Sequence, residues 1–347
     1  LNFFPDILHL NDWQTAPATL FSEGVPTVLT IHNLGYQGLF PLAEAPILFG
    51  REEIPKVWIH YDQLAFLKGG IATADLVTTV SPTYAEEIRQ TALGFGLGDV
   101  LRARGERLVG ILNGIDTRVW DPATDPHLAE NFTRAERRGK RACKRALQEE
   151  MALPVDEEAF LVGMVTRIAG QKGFDLLLAV LGELLEREIQ LVVLGSGDPA
   201  MEAALRAFRD RHPERLALRF AFDEALAHRI YAGCDAFLMP SSYEPCGLAQ
   251  LYALRYGALP IVRATGGLRD TVRDGETGFS FEAYRPEALR EAIFRALACS
   301  GDREGWEAMV DRGMGEDFSW SRSAAAYEQA YAALLPSPAV APAPPSW

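Results

Sequence analysis

Short apolar runs, each followed by a longer amphipathic segment, recur from one end of this 347-residue chain to the other. That alternation is the rhythm of β–α–β units, in which strands buried in a parallel sheet are covered by helices. It predicts strands near Asp6–Leu10, Thr27–Ile31, Leu76–Val80 and Leu108–Leu112 in the first part. In the second part it predicts strands near Phe160–Val165, Gln190–Leu194, Leu216–Phe220, Ala236–Met239 and Leu259–Val262. Helices are predicted over Gln63–Thr73 and Pro82–Gln90, then over Gly173–Glu188, Pro199–Arg211, Glu224–Ala232 and Gly247–Tyr256. Two more, near Pro286–Ser300 and Ser321–Leu335, close the chain. The expected class is α/β with two doubly wound, Rossmann-like lobes. The first occupies residues 1–110 and the second 111–320, with residues 321–335 a C-terminal helix returning to the first lobe. Residues 116–138 are polar and read as a linking excursion, and the Pro-rich tail 336–347 is expected to be disordered. The first lobe holds too few strands for a whole doubly wound sheet. A chain that opens at Leu1 in an apolar stretch reads as cut in mid-domain.

Length suits two cores. The formal charge of −13 argues against nucleic acid and anionic membrane as partners. It suits a neutral polymer, and leaves any phosphate to a few local Arg and Lys side chains. No apolar run reaches the ~18 residues of a membrane span. Cys143, Cys234, Cys246 and Cys299 form no CxxC pair, so they read as reduced thiols of a cytoplasmic protein rather than as a zinc site or disulfide framework. No histidine spacing supports a metal.

Ligands of open parallel sheets sit beyond the carboxyl ends of the strands, and polar or Gly-rich residues follow almost every predicted strand. His9, Asp12 and Trp13 follow the first, His32, Asn33, Gly35 and Tyr36 the second, and Asn113, Gly114 and Asp116 the fourth. In the second lobe, Arg167 and Lys172 leave one strand-to-helix loop and Gly173 opens the helix. Two cations and a helix N-terminus can hold a pyrophosphate and stabilise it as it departs. Surface loops also carry Arg and Lys for no such reason. Glu244 ends a later strand, and Gly247 and Leu248 are read as the start of a helix whose free N–H groups can meet a phosphate. Glu244 itself is open to two readings, a fork for sugar hydroxyls or a cap for its own helix. Cys246 reads as a packed small residue rather than a nucleophile. Gly195-Ser196-Gly197 is a weak signal, as any GxG is.

Taken in order, HLNDW, TIHNLGYQGLF, VTTVSPTYAEEI, GILNGIDTRVWDP, RIAGQKGFDL, SSYEPCGLAQLY and ATGGLRDTV resemble the bacterial glycogen synthase and plant starch synthase family over nearly the whole chain except the tail. The resemblance implies a GT-B fold with two lobes facing a cleft. It also implies retaining transfer of glucose from ADP-glucose to the non-reducing 4-hydroxyl of an α-1,4-glucan such as glycogen, with no metal or other cofactor. Oligomeric state stays open. By motif, Arg167 and Lys172 would bind the donor diphosphate, and Glu244 with Cys246, Gly247 and Leu248 the glucose and distal phosphate. His32, Asp12 and Asn113 would line the glucose site from the first lobe, and Thr265, Gly266 and Gly267 would lie close to the nucleotide. Where related transferases place a ribose-binding Glu, this chain has Tyr252, as the glycogen and starch synthase branch does. Departures are the family's Lys-x-Gly-Gly loop, absent here, Asn11 for the second His of H-x-H-D-W, Ala249 for a Thr, and Phe222 for a Tyr near the base. Two other readings remain: a non-catalytic glucan-binding or regulatory descendant, and a double-displacement enzyme with Glu244 as nucleophile opposite Asp12.

Overall fold

The computed structural model describes residues 4–50 and 54–335; the expected tail lies outside them. The chain divides into two compact units. One takes the residues up to Val80, Ala85–Ile111 and the chain from Ser323; the other takes Ser81–Tyr84 and Leu112–Arg322.

The strands of the first unit are β1 (Leu8–Asn11), β2 (Thr27–Ile31), β3 (Leu39–Pro41), β4 (Ile59–His60), β5 (Gln63–Ala65), β6 (Leu76–Thr79) and β7 (Leu108–Gly110). β1, β2, β6 and β7 form a parallel sheet in that order. Every residue of β2 and β6 is buried, which is why both read as unbroken apolar or threonine-rich runs. Across this sheet runs a polar chain. His9 Nε2 lies 2.6 Å from Thr30 Oγ1, which lies 2.6 Å from Thr78 Oγ1, and His9 Nδ1 lies 2.6 Å from the Tyr331 hydroxyl of helix Trp320–Ala332. Burial, then the nearby His32, pushes the His9 pKa down. β3, β5 and β4 make a small antiparallel sheet. This corrects the expected helix over Gln63–Thr73: its first three residues are β5 and the helix is Phe66–Thr73.

The second unit is a six-stranded parallel sheet. Its strands are β8 (Phe160–Val165), β9 (Ile189–Leu194), β10 (Leu216–Arg219), β11 (Ala236–Met239), β12 (Leu259–Arg263) and β13 (Phe279–Phe281), ordered β10-β9-β8-β11-β12-β13. The chain walks outward from β8 through β9 to β10, then returns to β11 on the other side and walks out again. The crevice between the ends of β8 and β11 is thus the topological switch point, where such sheets bind ligands. The helices Phe174–Leu185 and Pro286–Ser300 bury apolar faces on this sheet.

The polar segment 116–138 also packs within this unit. Asp125 is buried, accepts a hydrogen bond from the Tyr256 hydroxyl at 2.5 Å and lies 2.6 Å from His228 Nδ1. Trp120 is sandwiched between His228 and Tyr252, each ring 3.8 Å away. Two helices absent from the expected elements, Arg138–Glu150 and Arg303–Met314, complete the unit.

Candidate active site

At the switch point, β8 leads into the loop carrying Arg167 and Lys172, and β11 into the loop carrying Ser241 and Glu244. The two loops are knitted together. Ser242 N–H donates to the Gln171 carbonyl at 2.8 Å, and Gln171 Nε2 donates to the Tyr243 carbonyl at 3.3 Å. Gly173 permits this approach. It has φ +77°, and a Cβ there would meet the Pro240 carbonyl oxygen at 2.2 Å. Only glycine suits both that left-handed backbone and that contact.

The consequence is an ion pair. Lys172 Nζ lies 2.6 Å from Glu244 Oε2, with side-chain exposures of 16% and 9%. Ser241 Oγ donates to the same carboxylate oxygen at 3.0 Å. These groups line a pocket of about 170 Å³ together with Thr166, Gly247 and Leu248. Arg167 is exposed and has no ion-pair partner among the described residues. In sequence, Lys172 and Glu244 read as having separate tasks, and no motif role points to Ser241.

Other expected residues stand differently. The helix assigned to Gly247 begins at Ala249 and ends at Arg255. Gly247 has φ +71°, outside helical geometry, so the helix cannot start there. Gly266 and Gly267 are buried, and a Cβ on them would meet the Glu244 and Cys246 carbonyl oxygens at 1.9 and 2.1 Å. The Gly267 N–H donates to the carbonyls of Glu244 and Pro245, both at 3.2 Å. This pair of glycines therefore supports the Glu244 loop from behind. Thr265 is buried beside them. Cys246 is buried too, and its thiol pKa is pushed up to about 12 by burial, so no thiolate forms near neutral pH. Asn113 belongs to the second unit, where its backbone hydrogen-bonds Cys246, not to the first. Phe222 is 93% exposed just before helix Glu224–Gly233, leaving its ring face free.

On the first unit, Asp12 and His32 come together at the ends of β1 and β2. Asp12 Oδ1 accepts the His32 backbone N–H at 2.7 Å. Asp12 has φ +54°, an unusual backbone for a non-glycine residue. Asn11, where the resembled family has His, lies 2.9 Å from His32 Nε2 through its Oδ1. Nearby is an open aromatic hollow of about 720 Å³ lined by Trp13, Tyr36, Phe40, Tyr61 and Phe95. Tyr61 and Phe95 both sit at positive φ, 48° and 46°. Such strain persists where the surrounding structure imposes it, often at binding sites.

A family model described as a starch synthase catalytic domain matches residues 1–103, and one described as glycosyl transferases group 1 matches residues 148–309. The glycogen synthase of Anaeromyxobacter dehalogenans (strain 2CP-C) is 53% identical over 353 residues, covering 97% of this chain and 74% of that protein. This chain belongs to the glycogen synthase family. The glycogen synthase of Aromatoleum aromaticum is 48% identical and covers 95% of this chain and 70% of its own length. Among solved structures, the catalytic domain of starch synthase IV from Arabidopsis thaliana, bound to ADP and acarbose, superposes with a TM-score of 0.87 at 36% identity. It covers 95% of this chain and 73% of that one. A sucrose-phosphate synthase from Thermosynechococcus elongatus, 21% identical with a TM-score of 0.64, shares the fold alone. The fold is GT-B and the chain a glycosyltransferase of the glycogen and starch synthase type. Among the described residues no helix is long and apolar enough to cross a membrane, and no cluster of His, Cys, Asp and Glu is placed to hold a metal ion.

Proposed function

We propose that this glycogen synthase family member transfers glucose from ADP-glucose to the non-reducing 4-hydroxyl of an α-1,4-glucan. Transfer proceeds with retention, in the cytoplasm, and without metal or other cofactor. The observation that carries this reading is the Lys172–Glu244 pair at the switch point of the second sheet, with Arg167, which has no ion-pair partner among the described residues, on the same loop as Lys172. Arg167 and Lys172 meet the diphosphate as it gains charge on leaving, which lowers the barrier only if the cations are already in place. Glu244, held by Lys172 and Ser241, keeps one carboxylate oxygen to accept from glucose hydroxyls. Phe222 offers its ring to the adenine. Asp12 and His32 serve the transferred sugar. The hollow around Trp13, Tyr36 and Tyr61 suits the apolar faces of glucan rings. The C1–O bond to the diphosphate breaks with its electron pair going to ADP. The acceptor oxygen bonds C1 from the same face, and its proton passes to the departing phosphoryl oxygen. The relative described with ADP and acarbose bound supports the choice of an adenine nucleotide.

The test is transfer of labelled glucose from ADP-glucose and from UDP-glucose to glycogen, with the product digested by an α-1,4-specific hydrolase. Release of all label with ADP-glucose strongly preferred is expected. No incorporation from either donor, or label resistant to the α-specific hydrolase, would overturn the reading. Incorporation mainly from UDP-glucose would overturn the donor.

A further inference from the structure

The second unit has another cavity, of about 450 Å³, at the opposite ends of its central strands. Phe160, where β8 begins, and Asp235, just before β11, are among the residues that line it. The Lys172 and Glu244 loops leave the far ends of those same strands. The six residues of β8 therefore set the two sites about 20 Å apart.

Arg137, Lys140, Arg141 and Lys144 all line this cavity. Their spacing places them on one face at the start of helix Arg138–Glu150, and like charges at i, i+4 destabilise a helix unless they are answered. Three of them are answered. Arg137 pairs with Glu307 at 2.7 Å. Lys140 Nζ donates to the carbonyls of Ala232, Cys234 and Tyr256 at 2.9–3.0 Å. Lys144 pairs with Asp235 at 2.8 Å. Arg141 is exposed and has no partner among the described residues, and the same holds for Arg303, which lines the cavity from the first residue of helix Arg303–Met314. The acids of the wall are mostly committed, Asp235 and Glu307 as above and Glu157 to Arg145 at 2.8 Å, which leaves Glu158. In a chain of net charge −13, two unanswered guanidinium groups in one cavity call for an anion.

We propose that this cavity binds a small phosphomonoester of the hexose phosphate class, at a site separate from the donor site. Two guanidinium forks from two helices match the three oxygens of a phosphate dianion, where a lone carboxylate occupies one fork. The volume exceeds what bare phosphate fills and is too small for a polymer. Trp306, which also lines it, offers a sugar ring an apolar wall.

The test is calorimetric titration of the whole protein at low ionic strength with inorganic phosphate and with fructose 6-phosphate, whose ring is a poor mimic of the glucosyl group. Excess ADP is present so that nucleotide sites are filled. Saturable binding is expected, tighter for fructose 6-phosphate. Arg141→Ser/Arg303→Ser should weaken it by roughly 100-fold or more, the loss of two charge-assisted contacts. ADP affinity and the unliganded melting temperature should stay unchanged, and Arg141→Lys/Arg303→Lys should restore part of the affinity. No saturable binding to the wild-type protein, or equal binding to the double serine variant, would overturn the proposal.

Discussion

The Lys172–Glu244 pair makes a prediction that separates stability from chemistry. Both side chains are largely withdrawn from water, 2.6 Å apart, and Ser241 is the other group that touches the carboxylate. Lys172→Met keeps the volume but leaves a nearly buried carboxylate with one neutral donor, and breaking such a pair costs about 3–5 kcal/mol. Glu244→Gln keeps the shape and loses charge-assisted bonds worth about 1.5–3 kcal/mol. In the double variant no charge is stranded, so its loss should fall well short of the sum, with a coupling energy of about 2 kcal/mol or more. Urea denaturation of the four proteins measures that coupling. Turnover should behave differently. Each single variant should lose about 100-fold in kcat, and the double should regain none of it, because both groups are still missing from the transition state. ADP affinity should survive Glu244→Gln and fall in Lys172→Met. Additive stabilities, within about 0.5 kcal/mol, would show that the pair does not form in solution. A double variant more active than either single would show that the lost turnover came from the stranded charge.

The folded protein holds the His9 pKa below its ordinary value of 6.5, so the unfolded chain binds a proton that the folded one refuses. Stability from this site is then fully present above about pH 6.5 and lost as pH falls; urea denaturation at pH 5.5 and 8 should show a drop that shrinks in His9→Gln. Gly266→Ala should cost more than about 2 kcal/mol and cut turnover by moving the Glu244 loop, while Gly275→Ala, also at positive φ but with nothing within 4 Å of its Cβ, should cost only the backbone strain of about 1 kcal/mol. Thermal melts of the two compare contact with strain directly. Asp125→Ala removes the shared acceptor of Tyr256 and His228 from a buried site and should cost about 3–5 kcal/mol in the same assay.

How far the fold was legible follows from what each element buries. The strands β8, β9, β11 and β12 lie in the middle of their sheet and are covered on both faces, so they read as apolar runs, and prediction and structure differ by a residue at most. Strands β3, β4 and β5 have two or three residues each, too few for any period to show, and β5 runs directly into a helix. Helix Arg138–Glu150 was missed for a different reason. Its inward face includes Lys144 and Gln148, which bond the Glu157 and Asp156 carbonyls and the Asp235 and Gln190 side chains instead of presenting apolar surface. Polarity was read there as exposure. Segment 116–138 misled in the same way, since Asp125 is buried with its partners while the residues around it are mostly polar.

The candidate site divides along the same line. Residue types at strand ends suggest phosphate and sugar chemistry, because those ends are where any parallel sheet presents its ligands. The partners of those residues were not legible, since Lys172 and Glu244 stand 72 positions apart and only the fold brings them together. The two glycines Gly266 and Gly267 show the difference most plainly. As sequence they resemble a nucleotide-contacting loop, yet their backbone lies against the Glu244–Cys246 carbonyls, where a methyl group has no room. A glycine marks a place where something approaches closely, but not whether that is a ligand or the protein's own chain. On the side a Cβ would occupy it is the chain, and Glu244 is held from the front by Lys172 and from behind by that contact. The carboxylate is thereby fixed in place, as the role proposed for it on a transition state requires.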